Sequence, residues 1–269
     1  MALIDLSKKR LDEIYRSIWT GRTQLTNLPL DLYTAIALLL EKGLFSGFGG
    51  TLQSYDLDSP DLDVLKALRK NTYYFSAAKT FQEVKATQAF IFTKDGFRRS
   101  FTDFKKDAEK VMDVFNEQWL QTEYNTAIAA AQSAAEWIDI EEDKDVFPLL
   151  RYVTQQDENV RHSHRPLDGI VKPVNDPFWR NNMPPNGWNC RCHVEQLESD
   201  EAKETKLTKE RQEQVNAATE DLFKVNFARD KVVFKEDGRY QHEYFKVAKK
   251  YEVLKNNHFN LPRPTDGTR

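Results

Sequence analysis

Cysteine is scarce in this 269-residue chain: Cys190 and Cys192 are its whole thiol inventory. A disulfide-stapled scaffold is excluded, and with one residue between them the two thiols suit a shared metal or a reduced pair better than a structural disulfide. Long apolar runs are missing too. The longest, from Ala35 to Leu40, spans six residues, against the roughly 20 that a bilayer-crossing helix needs; no membrane span is expected. The first residues, Met1 to Lys8, lack the basic start, apolar stretch and small-residue cleavage site of a secretory signal, so synthesis and first action in a cytoplasm are the expectation. Charge of one sign is lacking as well. With 39 basic and 42 acidic side chains the formal charge is −3, which argues against tight nonspecific DNA packing by the whole chain. No nucleophile elbow, phosphate-binding glycine loop or zincin motif occurs.

What is present is material for a core: 40% hydrophobic and 12% aromatic residues, beside 30% charged. Three regions differ in pattern, and the fold class read from them is α+β. Residues 1–140 are helical in periodicity and read as a region for assembly contacts. Leu11, Ile14, Tyr15 and Ile18 share one helix face after Ser7 as cap. A second helix is expected from Pro29 to about Lys42, ending in the cluster Gly43, Gly47, Gly49 and Gly50. Ser59-Pro60-Asp61 starts a third that reaches toward Phe92. From about Thr102 to Ile140 helix is expected again, with Phe104, Ala108, Val111 and Phe115 on one stripe. Its later face of Ala127, Ala130, Ala131 and Ala134 permits close helix approach, as a bundle seam or as a surface for a partner. The acidic run Asp139 to Asp145 reads as a solvated linker.

Residues 141–200 form a small loop-rich, β-containing module, with strands expected at Phe147 to Thr154 and Asn189 to Val194. Residues 201–269 form a short mixed extension. It is expected to hold a polar helix ending near Phe223, a strand Lys231 to Phe234 and a final helix around Tyr244 to Leu254. From Ala202 onward fifteen basic residues face eleven acidic ones, which leaves room for a weak, salt-sensitive DNA contact.

Within the middle module, residues 157–193 hold two of the five tryptophans and three of the five histidines. On a strand, residues i and i+2 share a face, so Cys190 converges with Cys192, and His162 with His164. Two thiolates with one or two imidazoles are a common tetrahedral zinc set, and one structural zinc held by His162, His164, Cys190 and Cys192 is the candidate cofactor. The alternative has the thiols as small core residues, His164 bonded in a turn and His162 solvated. His193 would point away on a regular strand. Asp168-Gly169 and Pro184-Pro185-Asn186-Gly187 are turn signals, and Phe178, Trp179 and Trp188 are expected to cover the loops as a small aromatic core. Arg161, Asp157, Asp168 and Asp176 serve as ion pairs and loop caps in the plainer reading. In the other they assist His164 in a metal-dependent hydrolase or nuclease acting on nucleic acid.

The stretch as a whole resembles the phage Mu F-like family, also called the phage head morphogenesis or minor head protein family. The residues that carry the likeness are Asp157, Val160-Arg161, His164, Leu167-Asp168-Gly169, Asp176-Pro177-Phe178-Trp179, Pro184-Pro185, Gly187 and Asn189-Cys190-Arg191-Cys192, with Thr122 to Asn125 as lead-in. The resemblance implies a non-enzymatic minor structural protein of a tailed phage or prophage. It would lie inside the head, associate with the portal protein and act in procapsid assembly and in DNA packaging or ejection. The major capsid or a scaffolding protein is a further implied partner. The implied location is the virion, in the capsid interior near the portal, with the host cytoplasm during assembly.

Overall fold

A computed structural model describes residue 4 and residues 6–265; positions 1–3 and 5, part of the segment read above for a signal, lie outside the described residues. The architecture is α+β: five helical stretches, a three-stranded sheet, then short helices and turns. The chain divides into two compact units, each assembled from segments distant in sequence.

The first unit takes the chain up to Gly43, Arg69–Tyr124 and everything from Glu236 on. Helix α1 (Lys8–Thr20) is capped as expected, Ser7 accepting a bond from the Arg10 amide at 3.2 Å, and it buries Ile14, Tyr15 and Ile18. Helix α2 (Leu30–Phe48) and helix α3 (Pro60–Gln88) contribute residues 30–43 and 69–88 to this unit. Helix α4 (Phe101–Asp113) starts at a Ser100 cap and passes through a π-helical turn, Val114–Trp119, into helix α5 (Leu120–Asp143). The stripe it buries is Phe104, Ala108, Met112 and Phe115, so Met112 takes the place expected for Val111. Instead of a final helix at 244–254, single 3-10 turns occupy Glu243–Phe245 and Lys249–Tyr251, and only Glu252–Asn256 is α-helical. Phe245 of the first turn and Phe259 of a further one, His258–Asn260, lie on α3, with ring centroids 4.9 Å from Tyr74 and 5.1 Å from Phe81.

A buried polar cluster lies inside this unit. Lys79 has no exposed side-chain surface, and its Nζ sits 2.9 Å from Glu123 Oε2. The Tyr244 hydroxyl donates to Glu123 Oε1 at 2.9 Å, and Asn116, turned inward from the π-helical turn, donates to Glu83 Oε1 at 2.6 Å. Burial pushes the Glu83 carboxyl up from its ordinary 4.5 to about 8, against the opposing pull of Lys79 and Asn116. Because the folded value lies above the unfolded one, the stability Glu83 contributes is complete below pH 4.5 and is lost as pH rises through about 8. Glu83→Gln, which keeps an acceptor for Asn116, is expected to flatten that decline. Urea unfolding across this pH range checks it, and a decline as steep as in the parent chain would refute it.

The second unit takes Leu44–Leu68 and Asn125–Lys235. Strand β1 (Leu149–Val153) lies between β2 (Val171–Pro173) and β3 (His193–Leu197), antiparallel to both, with Leu150 opposite Lys172 and Tyr152 opposite Val194. Ala127, Ala130, Ala131 and Ala134 of α5 are fully buried, so the alanine face is an internal seam. The partner-surface alternative for these four residues is thereby corrected.

The glycines of α2 explain how closely that seam packs. Gly43 and Gly47 lie inside the helix, which ends only at Phe48, rather than forming the expected turn after Lys42. A Cβ on Gly47 would sit 2.1 Å from the Ile128 carbonyl oxygen, and one on Gly43 would meet the Tyr124 ring at 2.9 Å. Gly47→Ala would gain about 1 kcal/mol of helix propensity, but the backbone overlap outweighs it. A net loss of about 1–3 kcal/mol is expected in urea unfolding, and an unchanged or raised stability would contradict the close approach.

Three further expectations need correction. The acidic run is helical to Asp143, because Ile140 is buried and holds the last turns against the core. Residues 231–234 form no strand; Lys231 adopts φ 55° and ends the helical turn Phe227–Asp230. Finally, residues 30–54 are, by length and composition, long and apolar enough to cross a bilayer, although no unbroken run suggested it. Leu32, Tyr33, Ile36, Leu40 and Leu44 of this stretch are almost wholly buried, whereas Leu30 and Leu38 are half exposed.

Candidate metal centre

The site grows out of β1. The phenol of Tyr152, on its buried face, donates to Asn186 Oδ1 at 2.7 Å, and this fixes the loop that carries Cys190 and Cys192. Ahead of the cysteines Asn189 takes a left-handed φ of 55°. The Arg191 carbonyl then accepts from Gln155 Nε2 at 2.9 Å. Those contacts hold the Cys-Arg-Cys segment as a loop, so β3 begins at His193 rather than at Asn189 as the sequence pattern suggested. The thiols nonetheless converge.

On the facing side, residues 161–167 turn instead of extending. The His164 amide bonds the Arg161 carbonyl at 3.0 Å and a 3-10 turn, Arg165–Leu167, comes next. This buries His164 and leaves His162 exposed. The strand-like pairing expected of the two histidines is therefore absent: the donor group is His164, Cys190 and Cys192, all within 4.8 Å of one another, and His162 is not among them. His164 Nδ1 lies 3.7 Å from Cys190 Sγ and 3.8 Å from Cys192 Sγ. Two ligands of a tetrahedral zinc, at about 2.3 Å for sulfur and 2.0 Å for nitrogen, stand about 3.5 Å apart. The separations thus approach those of a metal cradle, and two thiolates with an imidazole are a donor set suited to zinc. The residues present fit such an ion.

The electrostatics of the pair point the same way. The contact with the Cys192 thiol, assisted by His164, outweighs burial and holds Cys190 down from 9.0 to about 4. The same sulfur contact, with burial, pushes Cys192 up. The two sulfurs thus hold their protons unequally, and a metal would displace the one that is retained. Burial and the neighbouring sulfurs also push Tyr152 well up, so it stays a neutral donor.

The remaining motif residues hold the loops in place. Asp157 receives both guanidinium nitrogens of Arg191 at 2.7 and 2.8 Å. Asp168 Oδ1 accepts from the Thr154 amide and hydroxyl at 2.8 and 2.9 Å, with Gly169 completing its turn. Asp176 caps Phe178 at 2.7 Å, and the fully buried Trp179 donates from Nε1 to the Pro173 carbonyl at 3.0 Å. Phe178 stacks edge-on against Trp179, and Trp188 against Phe223, as two aromatic pairs. Arg161 donates to the Trp188 carbonyl. Pro185 is joined to Pro184 by a cis bond. Gly187 admits Glu220, whose Oε1 would lie 2.6 Å from any Cβ there.

Sequence reasoning missed Tyr152, Asn186, Thr154 and Gln155. Alternation along Leu150, Tyr152 and Thr154 was the available signal for two of them.

These features define an α+β module with a three-donor cradle beneath an interlocked loop layer. Over residues 98–195 the chain matches the family described as Phage Mu protein F like protein, in agreement with the resemblance read from the motif. Among curated relatives, the putative capsid assembly protein F of Escherichia phage Mu is 30% identical over 149 residues, which cover 54% of this chain and 34% of that protein. The Mu-like prophage FluMu F protein of Haemophilus influenzae is 40% identical over 78 residues, 29% of this chain and 19% of that protein. The chain therefore spans at most about a third of the length of these relatives. No solved structure matches it.

Proposed function

We propose that the protein is a non-enzymatic minor head protein of a tailed phage or prophage, acting in head assembly from the capsid interior beside the portal. The observation that carries this is the motif layer itself. Asp157, Asp168, Asp176 and Trp179 each close a loop contact within the module, in a segment matched by a family one of whose relatives is named a capsid assembly protein. Residues 1–140 supply assembly contacts, 141–200 the motif module and 201–269 an extension. Zinc on His164, Cys190 and Cys192 would lock that module. The excess of positive charge beyond residue 201 supports a weak contact with DNA that fades as salt rises.

Co-expression with the portal and major head proteins of the same phage tests the reading. The chain is expected to travel with the portal ring in a fixed ratio through size exclusion, and its complete separation from portal and capsid would overturn the assignment.

A second reading, a metal-dependent hydrolase or nuclease, is favoured by one observation: among the described residues three donors, not four, gather at the centre. Against it, Asp157 is committed to Arg191, and Asp168 to Thr154 and Gln156. Chelator-sensitive cleavage of DNA or RNA, lost with Cys190→Ser, would establish it.

A further inference from the structure

We propose that the centre of His164, Cys190 and Cys192 keeps one coordination position free for a small anion, with Arg161 as the residue that favours its charge. The inference rests on the metal reading above. All three donors line one cavity of about 20 Å³. A water-sized occupant needs about 10–15 Å³, so beside the ion the space admits one ligating atom, and the rest of a ligand extends through the cavity mouth. The other walls are Gln155, Asn159, Val160, Arg161, Asn189 and Arg191. None of these carries an imidazole, thiol or carboxylate, so the wall offers no fourth ligand of the kinds that zinc prefers.

The charge of the wall selects the ligand class. Two thiolates neutralise a divalent ion, so charge at the ion alone does not decide between water and an anion. The guanidiniums decide it. Arg191 is matched by Asp157 in a two-bond pair. Arg161 is tied by a hydrogen bond to the Trp188 carbonyl, and its ion-pair partner Glu220 lies as far as 3.9 Å from Nε in a partly exposed pair. Its charge is thus the less satisfied of the two, and as part of the cavity wall it lowers the free energy of an anion there. Gln155 already spends its amide on the Arg191 carbonyl. A carboxylate or azide meets both requirements, because it presents one negatively charged atom to the ion and leaves the remainder outside.

The test loads the full chain with cobalt(II) in place of zinc and tracks its absorption. A sulfur-to-cobalt charge-transfer band reports that the thiols bind, and the visible ligand-field bands report the fourth ligand. Titration with azide or acetate is expected to shift the ligand-field bands saturably while the charge-transfer band stays. Arg161→Ala is expected to weaken azide binding roughly five- to tenfold, and Arg161→Lys to restore most of it; the charge-transfer band of each variant shows that its centre has formed. A charge-transfer band with ligand-field bands that no anion moves would overturn the free position and leave the metal reading standing. Absence of the charge-transfer band would overturn both. Azide affinity equal in the parent and in Arg161→Ala would overturn the part given to Arg161.

Discussion

Lys79→Ala is expected to lower stability by about 3–5 kcal/mol, the usual cost of stranding one partner of a buried ion pair. Lys79 is fully buried and Glu123 nearly so, so neither solvent nor salt can replace the lost partner. Burial already pushes the Glu123 carboxyl up, and Lys79 is the first force that opposes it. The ring of Phe115, 5.2 Å from Nζ, adds a cation–π contact that alanine also removes. The double variant Lys79→Met/Glu123→Leu removes both charges while keeping apolar volume, and it is expected to lose far less than the single variant. Urea unfolding monitored by circular dichroism measures both. A single variant within about 1 kcal/mol of the parent would mean that the pair behaves like an exposed one. If the single variant does not fold at all, recovery in the double variant carries the same conclusion.

The second large effect concerns the cradle. Reduced protein is expected to hold about one zinc per chain, and Cys190→Ser/Cys192→Ser is expected to hold none. Metal binding to the folded form alone adds its free energy to folding. A loss of about 3 kcal/mol would lower melting by roughly 6–12 °C in a chain of this size. The histidines separate the sequence expectation from the geometry: His164→Ala should lose the zinc, and His162→Ala should keep it, because His162 is exposed and outside the donor group. Elemental analysis beside thermal melts reads all of these. No zinc in the parent would leave Cys190 and Cys192 as core thiols bonded to His164.

Much of the motif module was legible because its signals are local. Asp168-Gly169 makes a turn, and Asp176 caps the short helix that begins at Phe178, two residues along the chain. Ser7 and Ser59 likewise announce their helices. The identity of the third donor was half legible. Two histidines at i and i+2 look alike on paper, and only the turn at 161–164, set by the Arg161 carbonyl, buries one and exposes the other. Glycine misled at 43 and 47 because its usual meaning is a chain reversal, whereas here it makes room for α5. The Lys79 cluster was the least visible. Thr72, Phe75, Ser76, Lys79 and Glu83 fall on one helical face and are all buried, so a charged pair inside a buried stripe was the clue. Its partners Asn116, Glu123 and Tyr244 come from segments that no local pattern joins to it. The strand expected in the extension, from Lys231 to Phe234, failed because Lys231 turns left-handed and, among the described residues, no strand lies alongside to pair with it.

The interleaving of the two units also sets an order of events on the ribosome. Lys79 and Tyr244 are 165 residues apart in the chain, and at roughly 5–20 residues per second their synthesis is separated by roughly 8–33 s. During that interval the first unit lacks the segment from Glu236 on, and Lys79 lacks the hydroxyl that completes its cluster. The second unit, whose last segment ends at Lys235, has all its residues made first. A nascent chain that has emerged from the ribosome only to that point would therefore present a complete second unit and an unfinished first one, exposed to whichever chaperone reaches it first.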